Sequence, residues 1–161
     1  MICNQLQEKV YALATFISLF SLFIGIYLVV YGINVEMTIV AMILNISITG
    51  VLFNGVKRKD TTHIFIWLVF SVIEAIFSTI LTCYFAIESD SMFKKYNILH
   101  KNHTYLSSDK TLEELSTIMY IYLAFSAAFG LLTVGLLSAL FIVKKFYDDL
   151  LRRGNYRSYG R

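Results

Sequence analysis

Twenty-two consecutive uncharged residues, Val10 to Tyr31 (VYALATFISLFSLFIGIYLVVY), constrain this chain more than any other feature, and three similar blocks follow them. A helix rises about 1.5 Å per residue, so each block can cross a hydrocarbon core of roughly 30 Å. The others run over 35–56, 61–87 and 116–143, with Glu36 at the start of the first of these and Glu74 interrupting the second. The chain is 57% hydrophobic and 16% charged, with no proline. Soluble domains hold about 45–50% apolar and about 25% charged residues, so the excess here marks lipid as the solvent for most of the chain. The expectation is an all-α integral membrane protein, an antiparallel bundle of four transmembrane helices.

A cleaved signal peptide is the rival reading of the first block. Such peptides have apolar cores of about 7–15 residues followed by a small-residue cleavage site. This block is longer and ends in Leu28, Val29, Val30 and Tyr31, so it reads as a retained helix. Residues 1–9 form a polar head. Gly32, Ile33 and Asn34 form a turn short enough to force the first two helices antiparallel. Residues 57–60 (KRKD) make a basic loop, and 88–115 form the one substantial loop, in which Met92, Phe93, Tyr96, Ile98 and Leu99 suggest a short amphipathic segment. The tail, 144–161, is basic; its first half can extend the fourth helix, and disorder is expected after Gly154.

Charge sets the orientation. With both termini cytosolic, ten basic residues lie inside (Lys9, Lys57, Arg58, Lys59, Lys144, Lys145, Arg152, Arg153, Arg157, Arg161) and four outside (Lys94, Lys95, Lys101, Lys110). This satisfies the positive-inside rule. An N-glycosylation acceptor, Asn102-His103-Thr104, falls in the loop placed outside and agrees. Tyr11, Tyr27, Tyr31, Trp67, Tyr84, Tyr120 and Tyr147 gather toward the helix ends, as interfacial aromatics do. Cys3 and Cys83 fall on opposite sides of the bilayer, which excludes an internal disulfide.

Glu74 is the sharpest chemical feature. It sits within SVIEAIF, at least ten residues from either end of its block. An ionisable group at that depth is costly and is by default a functional position: an ion ligand, a proton relay or an inter-subunit contact. The bland alternative is a glue residue bonded to Asn45 or Thr49 on the second helix. No basic residue lies at mid-depth in any block, so a charged partner would come from another chain. Asn45 and Asn54 repeat the polar theme more weakly; contacts of this kind are worth about 0.6–2 kcal/mol each.

The fourth block carries small residues four apart: Ala124 and Ala128, Ser126 and Gly130, Gly135 and Ala139. Such pairs let helices approach closely, within the chain or against another protein. In the tail, Tyr147 and Leu150 have the spacing of a tyrosine-based sorting signal, although a continued helix against lipid explains them equally well. The arginines and tyrosines beyond suit an anionic lipid surface.

Other chemistry is poorly represented. His100 and His103 lack companion ligands, so no metal is expected, and no cofactor motif, phosphate loop or nucleophile elbow is present. A net charge of +3, held beside membrane segments, gives nucleic-acid binding no support. The layout broadly resembles the tetraspan superfamilies. Tetraspanins, however, carry a cysteine-rich second outer loop and claudins a long first outer loop with paired cysteines; residues 88–115 hold no cysteine and the first loop is three residues. A likeness to lysosome-associated four-helix proteins rests on layout and the tyrosine motif, and no family is assigned.

The functional expectation is a non-enzymatic accessory or scaffolding subunit. It would sit among membrane lipids against a larger membrane protein or in a homo-oligomer, at the plasma membrane or alternatively the endolysosomal membrane. The alternatives are a small oligomeric conductor using Glu74 and a trafficking adaptor acting through Tyr147 and Leu150.

Overall fold

The computed structural model describes residues 2–32, 35–101 and 109–158, with side chains over 5–32, 35–100 and 112–152. It is a four-helix bundle: α1 Ile2–Val30, α2 Val35–Arg58, α3 Thr61–Lys101 and α4 Asp109–Ser158. In lipid the backbone must satisfy its own hydrogen bonds, and a chain without proline has nothing to interrupt a helix that does so. All four are long and apolar enough to cross a membrane, over Gln5–Val30, Val35–Arg58, Thr61–His100 and Leu112–Arg152.

Three helices outrun their apolar blocks: α1 begins at Ile2, inside the stretch expected as a polar head, and α3 and α4 extend further still. The stretch expected as a loop, 88–115, is helical up to Lys101 and again from Asp109, so the amphipathic segment is no separate element but the last turns of α3. Residues 88–101 contain neither glycine nor proline, and Asp90 pairs with Lys94 at 2.6 Å one turn on. Extending an existing helix is far cheaper than nucleating a new one, so α3 propagates beyond its apolar part. For the same reason α4 does not stop at Lys144 and Lys145, nor at Gly154, but continues to Ser158.

The connection from α2 to α3 is a tight double cap. Lys59 has φ +57°, a left-handed conformation that usually falls to glycine. The Asp60 amide donates to the Gly55 carbonyl at 2.9 Å and the Lys59 amide to the Val56 carbonyl at 3.4 Å, closing α2 as a Schellman turn. Asp60 then caps α3: its Oδ1 accepts the Thr62 amide at 2.9 Å and its Oδ2 meets His63 Nδ1 at 2.6 Å. The Thr62 amide first, and His63 next, hold the Asp60 carboxyl below its ordinary pKa. Lys57 and Arg58 end α2, where cations suit the helix dipole. At the other end of α2, Gly32 takes φ +68° just before it; Ile33 and Asn34 of the expected turn lie outside the described residues.

The chain divides into two compact units, Met1–Ala75 with Val134–Arg161, and Ile76–Thr133. The first has a core of Val10, Ala14, Ile17 and Ile24 from α1, Leu52 and Val56 from α2, Ile64, Trp67 and Ala75 from α3, and Leu136, Ala139, Val143 and Phe146 from α4. Trp67, expected at the interface, is only 4% exposed and belongs to that core. The second unit is built around Phe85, which stacks on Phe129 at 5.7 Å and Phe125 at 5.3 Å, with Tyr122 at 5.9 Å. Buried positions along α4 alternate steps of four and three: Phe125, Phe129, Leu132, Leu136, Ala139, Val143, Phe146. That average period of 3.5 keeps one seam of the helix facing inward along this length.

Candidate functional site

Three helices each place a polar side chain on their inner face, Ser18 and Asn45 near the middle of α1 and α2 and Glu74 about a third of the way along α3. On α1, Ala14, Ile17, Ser18, Ser21 and Ile24 fall at helical spacing on one stripe, so Ser18 is carried inward with the core residues. On α2, Thr38, Met42, Asn45, Thr49 and Leu52 recur in steps of four and three, which turns Asn45 toward α1. Gly25 allows the two helices to close: a Cβ there would lie 2.7 Å from Met42 Cγ and Sδ. On α3, Trp67, Ser71, Ala75 and Ser78 are buried, and Glu74 lies beside this stripe, half-buried.

The result is a continuous set of hydrogen bonds. Ser18 Oγ donates to Asn45 Oδ1 at 2.8 Å, and Asn45 Nδ2 donates to Glu74 Oε1 at 2.9 Å. The Ser21 hydroxyl is a further partner of the Glu74 carboxyl. Of the two α2 residues that the sequence offered as partners for Glu74, it is Asn45 that bonds to it. Every donor in this set points toward the carboxyl. No Asp, Glu, Lys, Arg or His lies between Lys9 and Glu36, Glu36 and Lys57, His63 and Glu74, Glu74 and Glu88, or Glu114 and Lys144. The cluster therefore holds one ionisable group, bonded by neutral dipoles, far from the charges at the helix ends.

Asn54 is half-buried nine residues further along α2, about 13 Å from Asn45, and so stands apart from the cluster. The α4 small-residue pairs divide in the same way. Ala139 is buried, while Ser126, Ala128, Gly130 and Gly135 are half-buried and Ala124 is exposed. Ser126 Oγ donates to the Thr82 carbonyl at 3.1 Å; a Cβ on Gly130 would stand 3.7 Å from Thr82 Cγ2, and one on Gly135 3.7 Å from Ile17 Cγ1. These are ordinary contact distances, so the α4 seam is set chiefly by its phenylalanines and leucines.

Sequence reasoning passed over a second polar system, in the unit formed by 76–133. Ser78 Oγ donates to the Phe129 carbonyl at 2.9 Å and receives the Thr133 hydroxyl at 3.0 Å, and Ser89 Oγ reaches the Met119 carbonyl at 3.4 Å. The available signal was the seven-residue spacing of Ser71 and Ser78 and of Thr82 and Ser89, which puts all four hydroxyls on one face of α3.

Tyr147 and Leu150 are half-buried on α4, and the Tyr147 ring lies 6.3 Å from that of Phe65. Asn102, His103 and the side chains of Arg153, Tyr156, Arg157, Tyr159 and Arg161 lie outside the described residues, as does that of Cys3. Cys83 is exposed and free. Among the described residues no group of three His, Cys, Asp or Glu side chains is placed to hold a metal ion, and no buried side-chain nitrogen or oxygen lacks a hydrogen-bond partner. No protein-family model matches the chain, and no curated protein or solved structure is significantly similar to it, so its reading rests on the four spans and the polar sites within them.

Proposed function

We propose that this small four-helix membrane protein is a non-enzymatic accessory or scaffolding subunit, with antiparallel spans and both termini cytosolic, packing laterally against a larger channel, transporter, receptor or junctional assembly. One observation carries the reading. The polar side chains that bond between helices turn inward toward one another, as in Ser18–Asn45–Glu74 and Ser78–Thr133, while large apolar side chains face outward. Phe16, Leu19, Phe23 and Ile26 cover the outside of α1, Ile73, Ile76, Phe77 and Ile80 that of α3, and Leu131, Val134, Leu137 and Phe141 that of α4. A chain so arranged has its apolar flanks and overhanging helix ends as the means of meeting another molecule. In lipid such flanks associate by close van der Waals packing rather than by a hydrophobic drive.

The test is gentle detergent extraction of the native protein, followed by size determination and mass-spectrometric identification of co-migrating chains. A larger partner in fixed stoichiometry supports the proposal. A homo-oligomer replaces it with the conductor, and a monomer removes both.

A further inference from the structure

We propose that Glu74, Asn45, Ser18 and Ser21 form a reversible binding site for one small monovalent cation, a proton or sodium, at the middle of the membrane-spanning region. The inference is independent of the lateral-partner reading, because it concerns the inside of the chain. Three helices bring four oxygen-bearing side chains together at 2.8–2.9 Å along the Ser18–Asn45–Glu74 line, with Ser21 joining at the carboxyl. The hydrogen bonds run one way, from hydroxyl to amide to carboxyl, which is the polarity that suits an acceptor-only carboxylate. Among the described residues that carboxylate has no counter-charge beside it. The nearest charged groups on the elements of its unit are Lys9 on α1, Glu36 and Lys57 on α2, His63 on α3 and Lys144 on α4; the described tyrosines of the unit, Tyr11, Tyr27, Tyr31 and Tyr147, also lie toward the ends of the apolar blocks.

An isolated negative charge at that depth is strongly disfavoured, so the cluster either takes up a single positive charge or is destabilised. Its composition suits that charge. One carboxylate balances a monovalent ion and leaves a divalent one uncompensated, and carboxylate, amide and hydroxyl oxygens are hard ligands. A proton is accommodated equally well, since rotating the Asn45 amide offers its oxygen to a Glu74 O–H and its N–H to Ser18 without moving the backbone. Glu74 is half-buried, which leaves it within reach of a reagent dissolved in the lipid.

An apolar carbodiimide, to which a protonated carboxyl group adds across a C=N bond to give an O-acylisourea, reads this site directly. The full chain in lipid nanodiscs would be labelled over a range of pH, in sodium or in choline at equal ionic strength, and the modified peptide mapped by mass spectrometry. The expected result is labelling at Glu74 that falls about tenfold per pH unit beyond its midpoint, as for a single ionising group. Saturable protection by sodium over choline would make sodium the ligand; pH dependence alone would make it the proton. Glu74→Gln should lose the label, and Asn45→Leu, which keeps the carboxyl, should move the midpoint. A Glu74 that never labels, labelling indifferent to pH and sodium, or an unmoved midpoint in Asn45→Leu overturns the site. Mapping on the unaltered chain decides the matter even if a variant fails to fold.

Discussion

Asp60 Oδ2 lies 2.6 Å from His63 Nδ1, one turn into the helix that Asp60 itself begins. The same residue donates its amide back to Gly55, so one side chain and one N–H end α2 and start α3. Asp60→Asn should lower the thermal midpoint in detergent. Because the Asp60 carboxyl is held below its ordinary pKa, its contribution is complete above that ordinary value and fades as pH falls through the lowered one. The difference between the two proteins should therefore be constant at neutral pH and shrink in acid. A difference that grew with acidification would contradict the cap.

Lys59 holds φ +57° at this turn, a conformation that costs a residue with a Cβ about 1–2 kcal/mol. Lys59→Gly should stabilise the protein by up to about 1 kcal/mol, since glycine gives back part of the gain as unfolded-state entropy. Equilibrium unfolding in mixed micelles checks this. Loss of stability would show that the lysine makes a compensating contact.

A Cβ on Gly55 would lie 2.8 Å from His63 Cβ and 3.2 Å from the Ile64 backbone nitrogen, neither a flexible side-chain end. Gly55→Ala should cost about 1–3 kcal/mol by overpacking. Gly50, with nothing within 4 Å of its Cβ position, is the control: Gly50→Ala should be neutral or gain up to about 1 kcal/mol of helix propensity. Equal effects at both glycines would refute the close approach.

Ser78 bridges to Phe129 and Thr133, whereas Ser47 bonds only the Ile43 carbonyl of its own helix. Ser78→Ala should cost about 0.6–2 kcal/mol, and Ser47→Ala close to nothing. Unfolding midpoints of the two variants side by side would separate inter-helix bonding from intra-helix bonding.

The proposed orientation places Asn102 on the lumenal side. The protein expressed in a eukaryotic secretory system should lose mass on enzymatic deglycosylation, and Asn102→Gln should abolish that shift. A cytosolic reporter signal from the 101–109 segment would reverse the topology.

Much of this architecture was legible because lipid imposes one rule on every span. Uncharged length located the membrane-crossing parts of α1 and α2, though not the start of α1 at Ile2, and the depth of Glu74 followed from counting residues. The extent of α3 and α4 was not legible in the same way. Charge at Glu88 or Lys144 marks where a helix leaves hydrocarbon, and says nothing about where its hydrogen bonds stop. Trp67 misled for a related reason: an indole near a block end suits an interface, but its neighbours Ile64 and Ser71 share its face and carry it inward. The small residues of α4 drew attention from the 3.5-residue seam between them, which only the burial of Phe125 through Phe146 makes plain. That Glu74 meets Asn45 was one of two pairings open from composition; selecting it needed the rotation of α2 about its axis.

The length of α3 gives its bond to α2 a further meaning. A helix of 41 residues measures about 61 Å, roughly twice the hydrocarbon thickness, and it is joined to α2 at one end through the tight turn at Lys59 and Asp60. α2 has only 24 residues and ends in Lys57 and Arg58, so it has almost no freedom to slide. The Asn45–Glu74 hydrogen bond joins the two at one height. It is a second tie about 20 Å from that turn, so α3 can neither splay from α2 nor rotate against it without breaking a polar contact within the span.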